Sequence, residues 1–135
     1  MKNKVFVTGL VLSVIAAAFV HAQQFNPESD FLVSRNDSGN SVTITEYIGT
    51  TQTVNIPPRI RNLPVTVIGD EAFIGKNVTR VTIPAGVTRI GDGAFLDCTA
   101  LTSVTIPAGV THIGDRVFEW CDELTRVTLP ASLTS

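Results

Sequence analysis

The sequence predicts a β-rich solenoid of short parallel strands with one-turn helices, closed at its start by a β-hairpin cap. Three observations predict it. A 23-residue unit recurs through the second half of the chain. Each unit carries two apolar patterns that face different walls of a coil. The residues ahead of the repeats read as a hairpin with strong turn signals. Self-similarity at a fixed period decides the architecture, because one unit is too small to bury its apolar face and must stack on its neighbours.

The repeat is close to exact. Val78–Phe95 aligns with Leu101–Phe118 at an offset of 23, and a further copy opens at Leu124–Pro130. A degenerate copy precedes them, running Val54–Pro57 and then Val65–Phe73, with five extra residues around Arg61 to Val65 and one fewer after Phe73. Within a unit, Leu101, Val104 and Ile106 alternate with Thr102, Ser103 and Thr105, the pattern of a short β-branched strand. Pro107 lacks an N–H and ends it. Ala108-Gly109 turns the chain, and Val110 and Ile113 return to the core on the opposite wall. Gly114 permits a tight bend, and Asp115 opens a one-turn helix carrying Val117 and Phe118. Stacking then builds four columns: Val81/Val104/Val127, Ile83/Ile106/Leu129, Ile68/Ile90/Ile113 and Phe73/Phe95/Phe118. Successive strands should lie about 4.8 Å apart in a parallel sheet.

Three segments divide the chain. Residues 1–22 read as a secretory signal: Lys2 and Lys4 form a basic start, Val5 to Val20 is an apolar run, and Val20-His21-Ala22 offers small residues at the cut. The mature chain would begin at Gln23 and be exported, extracellular or held at the cell surface. The run is short for a membrane span and no second one follows, so no span is expected after signal removal. Residues 23–58 form the β cap and entry segment. Phe31 to Ser34 and Val42 to Tyr47 flank Asn36-Asp37-Ser38-Gly39-Asn40, and Gly49-Thr50-Thr51 marks a second turn. Residues 59–135 form the repeats, the last one incomplete. Leu129 and Leu133 have no following layer, so self-association through that edge is one expectation and a truncated array another.

The run Leu-x-x-Val-x-Ile-Pro-x-x-Val-x-x-Ile-Gly-x-x-Ala-Phe-x-x-Cys resembles the BspA-type leucine-rich repeats of bacterial surface antigens. Val78 to Cys98 matches it, and Leu101 to Cys121 matches with Val117 in place of Ala. The earlier unit matches from Val65 to Phe73 and lacks the Cys. The resemblance covers about Val42 to Leu133. It implies a leucine-rich-repeat solenoid, and an exported protein that binds host matrix proteins, host cells or other bacteria. It carries over no individual binding residue, because the shared positions are core positions.

Composition narrows the partners. Without Lys2 and Lys4, 8 Lys and Arg face 12 Asp and Glu, a formal charge of −4. That weak acidity argues against nucleic acid, which wants a basic stripe. A protein partner, or a glycan, is the expectation. On the strand face, Arg80, Ser103 and Arg126 form one row, with Thr82, Thr105 and Thr128 in another and Thr79, Thr102 and Thr125 in a third. Thr is also the best polar strand former, so the Thr rows have a structural reading too. The two Arg favour an interface. Trp120 replaces a small polar residue of the previous coil and reads either as a binding anchor or as a lid on the core edge.

Other candidates have plainer readings beside the functional ones. Cys98 and Cys121 share a repeat position and read as a buried thiol column or, in an exported chain, as a disulfide. Asp70, Asp92 and Asp115 read as helix caps more readily than as a cation site. His112 shares a column with Arg89 and Val67, sits at an exposed position and has no nucleophile or ligand set around it. No catalytic residue, metal site or cofactor is expected. The residues thus point to a binding module, with a structural assembly unit as the alternative.

Overall fold

The computed structural model describes residues 24–134, and the expected signal lies outside the described residues. A 3-10 turn at Glu28–Asp30 leads into β1 (Phe31–Arg35), which pairs antiparallel with β2 (Val42–Tyr47). Asn36 holds the turn between them. Its Oδ1 accepts the N–H groups of Asn40 and Ser41, and its backbone N–H donates to Ser41 O. β3 (Thr53–Asn55) opens the first full coil, and β4 (Arg59–Ile60) and β5 (Leu63–Ile68) follow. The regular coils then supply β6 (Arg80–Thr82), β7 (Arg89–Ile90), β8 (Ser103–Thr105), β9 (His112–Ile113) and β10 (Arg126–Thr128).

Two sheets form the walls. One has the order β1-β2-β5-β7-β9 with β4 paired to β5, and the other has the order β10-β8-β6-β3. Every pairing in the second wall is parallel, and its register gives the expected column Val81↔Val104↔Val127, which Val54 extends by one coil. On the first wall Ile68↔Ile90↔Ile113 is likewise in register, and Ile44 of β2 extends it. The hairpin cap is therefore part of the solenoid wall: β2 pairs in parallel with β5 and presents Val42 and Ile44 to the same core.

An aromatic column runs through the coils from Phe31 to Phe118. The Phe73, Phe95 and Phe118 rings stack at centroid distances of 5.0 and 5.8 Å, with interplanar angles of 26° and 9°. Tyr47 continues the stack at 5.2 Å and Phe31 tilts onto it at 5.5 Å. Offset stacking at these distances adds to the burial energy of each ring. The core thins at the far end: Val81 and Val104 are buried, Val127 is half-buried, and Leu129 is 56% exposed.

The segments expected as one-turn helices are runs of turn. A left-handed residue breaks each one near its start: Glu71 (φ 55°), Gly93 (φ 60°) and Arg116 (φ 55°). In the first two, the N–H bonds to the next coil instead of along a helix: Glu71 N–H to Asp92 O at 2.9 Å and Gly93 N–H to Asp115 O at 2.8 Å. Stacking competes with local helix formation for the same donors and wins.

The insertion around Arg61 is a second departure. Arg59 and Ile60 pair antiparallel with Pro64 and Leu63, and the two residues between, Arg61 and Asn62, both have positive φ. That is the backbone of a type I′ hairpin turn. Glu28 secures it by accepting the Arg61 N–H at 3.0 Å.

Candidate functional site

The outer face of the second wall carries two rows set by the register. Thr53, Arg80, Ser103 and Arg126 lie side by side, as do Asn55, Thr82, Thr105 and Thr128. Arg80, Arg126, Thr82, Thr105 and Thr128 are exposed and Ser103 is half-buried. With strands about 4.8 Å apart, the two guanidinium-bearing positions stand about 10 Å from each other. Among the described residues neither Arg forms a salt bridge. Two exposed Arg in register on one sheet face can offer forked donors to carboxylates or carbonyls of a partner.

The Thr rows divide. Thr79, Thr102 and Thr125 are structural: the Thr102 hydroxyl donates to Thr79 O at 2.9 Å, and Thr125 to Thr102 O at 3.4 Å. Thr88, Thr111 and Thr134 repeat the device at the other corner. Each hydroxyl saturates a carbonyl of the preceding coil. Thr82, Thr105 and Thr128 have no such bond among the described residues, which leaves their hydroxyls to solvent or a partner.

Trp120 sits away from this face, in the turn before β10. It is 63% exposed and holds φ at 59°. Gly75 (φ 65°) and Asp97 (φ 60°) take the same conformation at the equivalent places in earlier coils. Gly and Asp tolerate the left-handed region, whereas a bulky side chain there is strained, at a cost on the order of 1 kcal/mol. A large ring held in water on a strained backbone contributes little to this fold. Trp120→Asn is therefore expected to leave the melting temperature unchanged or raise it, as measured by thermal denaturation.

Cys98 and Cys121 stand as free thiols in this structure. Their side chains are stacked in parallel and point the same way. Each sulfur donates to a carbonyl of the preceding coil, Cys98 to Phe73 O and Cys121 to Phe95 O, both at 3.0 Å. Burial, reinforced by the neighbouring Cys121, pushes the Cys98 thiol up to about 12 from 9.0, and burial raises Cys121 as well. A thiol this hard to ionise is a poor nucleophile. An unfolded chain releases these protons first as pH climbs. The stability they confer is thus complete below pH 9.0 and is lost as pH rises toward about 12. Denaturation midpoints measured across that window should fall, and the fall should shrink in Cys98→Ala.

The Asp column is also structural. Asp70 Oδ1 accepts the Asp92 N–H at 2.9 Å, and Asp92 Oδ1 accepts the Asp115 N–H at 2.8 Å. Each carboxylate caps the turn of the next coil rather than its own. Among the described residues no group of His, Cys, Asp and Glu is arranged to hold a metal ion. His112 is exposed in the row Val67↔Arg89↔His112, with Thr111 Oγ1 as its neighbour at 2.9 Å.

These walls, columns and ladders define a parallel-strand solenoid repeat protein. The BspA type leucine rich repeat region, described in six copies, matches residues 65–135, more than half of the chain, and the chain belongs to that family. Three solved structures are similar to it. A leucine rich repeat protein of T. pallidum matches with a TM-score of 0.80 and 31% identity, over 82% of this chain and 52% of that one. A leucine-rich repeat protein from Bacteroides capillosus matches with a TM-score of 0.75 and 30% identity, over 84% and 87%. A leucine rich cell surface protein from Faecalibacterium prausnitzii matches with a TM-score of 0.68 and 33% identity, over 79% and 31%. The chain thus spans about half the length of the T. pallidum protein. No curated protein matches it. No helix among the described residues is long and apolar enough to cross a membrane.

Proposed function

We propose that this is an exported, surface-associated or secreted binding protein, adhesin-like and non-enzymatic, which recognises a host matrix or cell-surface protein through its β3-β6-β8-β10 face. The observation that carries the reading is the row Arg80–Ser103–Arg126, two exposed guanidinium groups held in register on one sheet face with no salt bridge among the described residues. The name of the F. prausnitzii neighbour, a cell surface protein, supports the location. The residues at 1–22 support export, with cleavage before Gln23; mass analysis of the secreted chain should find that N-terminus.

Four strands give a face about 14 Å across. Standard interfaces bury about 800 Å² per partner. One copy therefore binds weakly, and avidity from several copies on a surface raises the effective strength. The experiment is binding of the mature chain to immobilised fibronectin, laminin and collagen, with Arg80→Ala/Arg126→Ala as the comparison. The double variant should weaken binding about tenfold or more while the melting temperature stays unchanged. Equal binding by both proteins removes this face from the mechanism. Trp120→Asn in the same assay reports whether the ring takes part.

A second reading, an assembly unit, is favoured by the half-buried Val127 and exposed Leu129 beside β10. A concentration series by light scattering separates the two: mass that rises with concentration supports assembly, and a constant monomer mass counts against it.

A further inference from the structure

The corner between the aromatic column and the second wall shortens toward the N-terminus. Phe118 to Thr125 and Phe95 to Thr102 each take seven steps, Phe73 to Thr79 takes six, and Tyr47 to Gln52 takes five, the end points being matched by their hydrogen bonds between coils. In the later coils the corner is filled by Cys98 with Leu101, and by Cys121 with Leu124. In the Phe73 coil the turn bond that Cys98 and Cys121 make is made by Lys76 N–H to Phe73 O. Lys76 thus takes the cysteine's place, and its side chain leaves the core to pair with Glu46 at 3.0 Å. In the first coil, Thr50 and Thr51 stand where the others carry apolar filler.

The missing filler leaves a cleft of about 470 Å³ between the Gly49–Gln52 turn and Lys76–Val78. Val78 and Tyr47 lie beneath it, both buried. Its rim carries the exposed side chains of Thr50, Gln52 and Asn77. The Tyr47 hydroxyl is fixed by Thr51, donating to its carbonyl oxygen at 3.0 Å. The Gln52 backbone is fixed too, since its carbonyl accepts the Thr79 N–H at 2.7 Å, so its side chain is not needed for the fold.

We infer that this cleft is a binding site for a neutral saccharide of one or two rings. Its volume falls within the range of small-molecule sites, and two amides and a hydroxyl at its rim offer both donors and acceptors, as vicinal sugar hydroxyls require. Lys76 is already neutralised by Glu46, which removes the single reason to favour an acidic ligand. The site adjoins the entry to β3 and β6 but does not rest on the reading of the strand face.

The test is ¹⁵N–¹H NMR of the mature chain titrated into the millimolar range with N-acetylglucosamine, diacetylchitobiose, methyl galactoside and methyl mannoside, with sialic acid and glucuronate as acidic arms. At least one neutral sugar should shift the amides of Thr50, Gln52 and Asn77 in a saturable way. Gln52→Ala and Asn77→Ala should each weaken that sugar about tenfold. Both should keep the wild-type melting temperature. The inference is overturned if no neutral sugar shifts these amides, if only the acidic sugars do, or if the two variants bind as the wild type does.

Discussion

Phe95→Ala is expected to lower the unfolding free energy by about 3–5 kcal/mol, the usual cost of emptying a fully buried aromatic site. Phe95 is buried at 0% exposure and stacks on Phe73 on one side and Phe118 on the other. Its removal breaks two ring contacts and leaves a void that neighbouring coils, tied by hydrogen bonds every strand spacing, cannot close. In a solenoid each coil touches only its neighbours, so the loss should also uncouple the coils on either side. Chemical denaturation should show a lower midpoint and a broadened transition. A neutral Phe95→Ala contradicts the column.

Gly91→Ala should be nearly as damaging, at about 3 kcal/mol, though it adds a single methyl group. A Cβ at Gly91 would stand 2.6 Å from the Asp70 backbone nitrogen and 2.8 Å from the Gly69 carbonyl carbon, and it would also strike the Asp70 carboxylate. The obstacles are mainly backbone, so no rotamer change relieves them and the coils must separate. Separation also breaks the bond from Asp92 N–H to Asp70. Gly114 meets Asp92 in the same way one coil on. Asp92→Asn keeps an acceptor oxygen and should cost much less, and denaturation of the two variants side by side checks the comparison.

The repeating Gly-Asp pair shows how much of this fold was legible in the sequence. The offset of 23 gave every column in the regular coils, because stacking forces equivalent residues to coincide. It gave less where the period slips. Tyr47 stands 26 residues before Phe73 and is not Phe, so its place in the aromatic column was hidden, and with it the corner cleft. The Arg61-Asn62 turn was hidden as well, since Arg rarely takes a positive φ. The expected helices failed for a different reason. Local pattern favours a helical turn, but the donors it needs are taken by the next coil. The same competition explains the Asp column, whose carboxylates reach across coils.

The candidate strand face was legible as rows of residues, since parallel strands at a fixed offset align side chains without any structure. Which Thr hydroxyls are free was not. Thr102 and Thr105 look alike in sequence, yet one bonds a carbonyl at the strand's entry and the other faces out. The strain at Trp120 was equally invisible, because it belongs to the backbone.

Site-specific cross-linking tests the central claim most directly. A photo-reactive residue is placed at Ser103 on the proposed binding face, or at His112 on the opposite wall, and the chain is irradiated on matrix protein or host-cell surfaces. Adducts from position 103 and few or none from 112 are predicted. Equal adducts from both positions, or adducts from 112 alone, contradict the account.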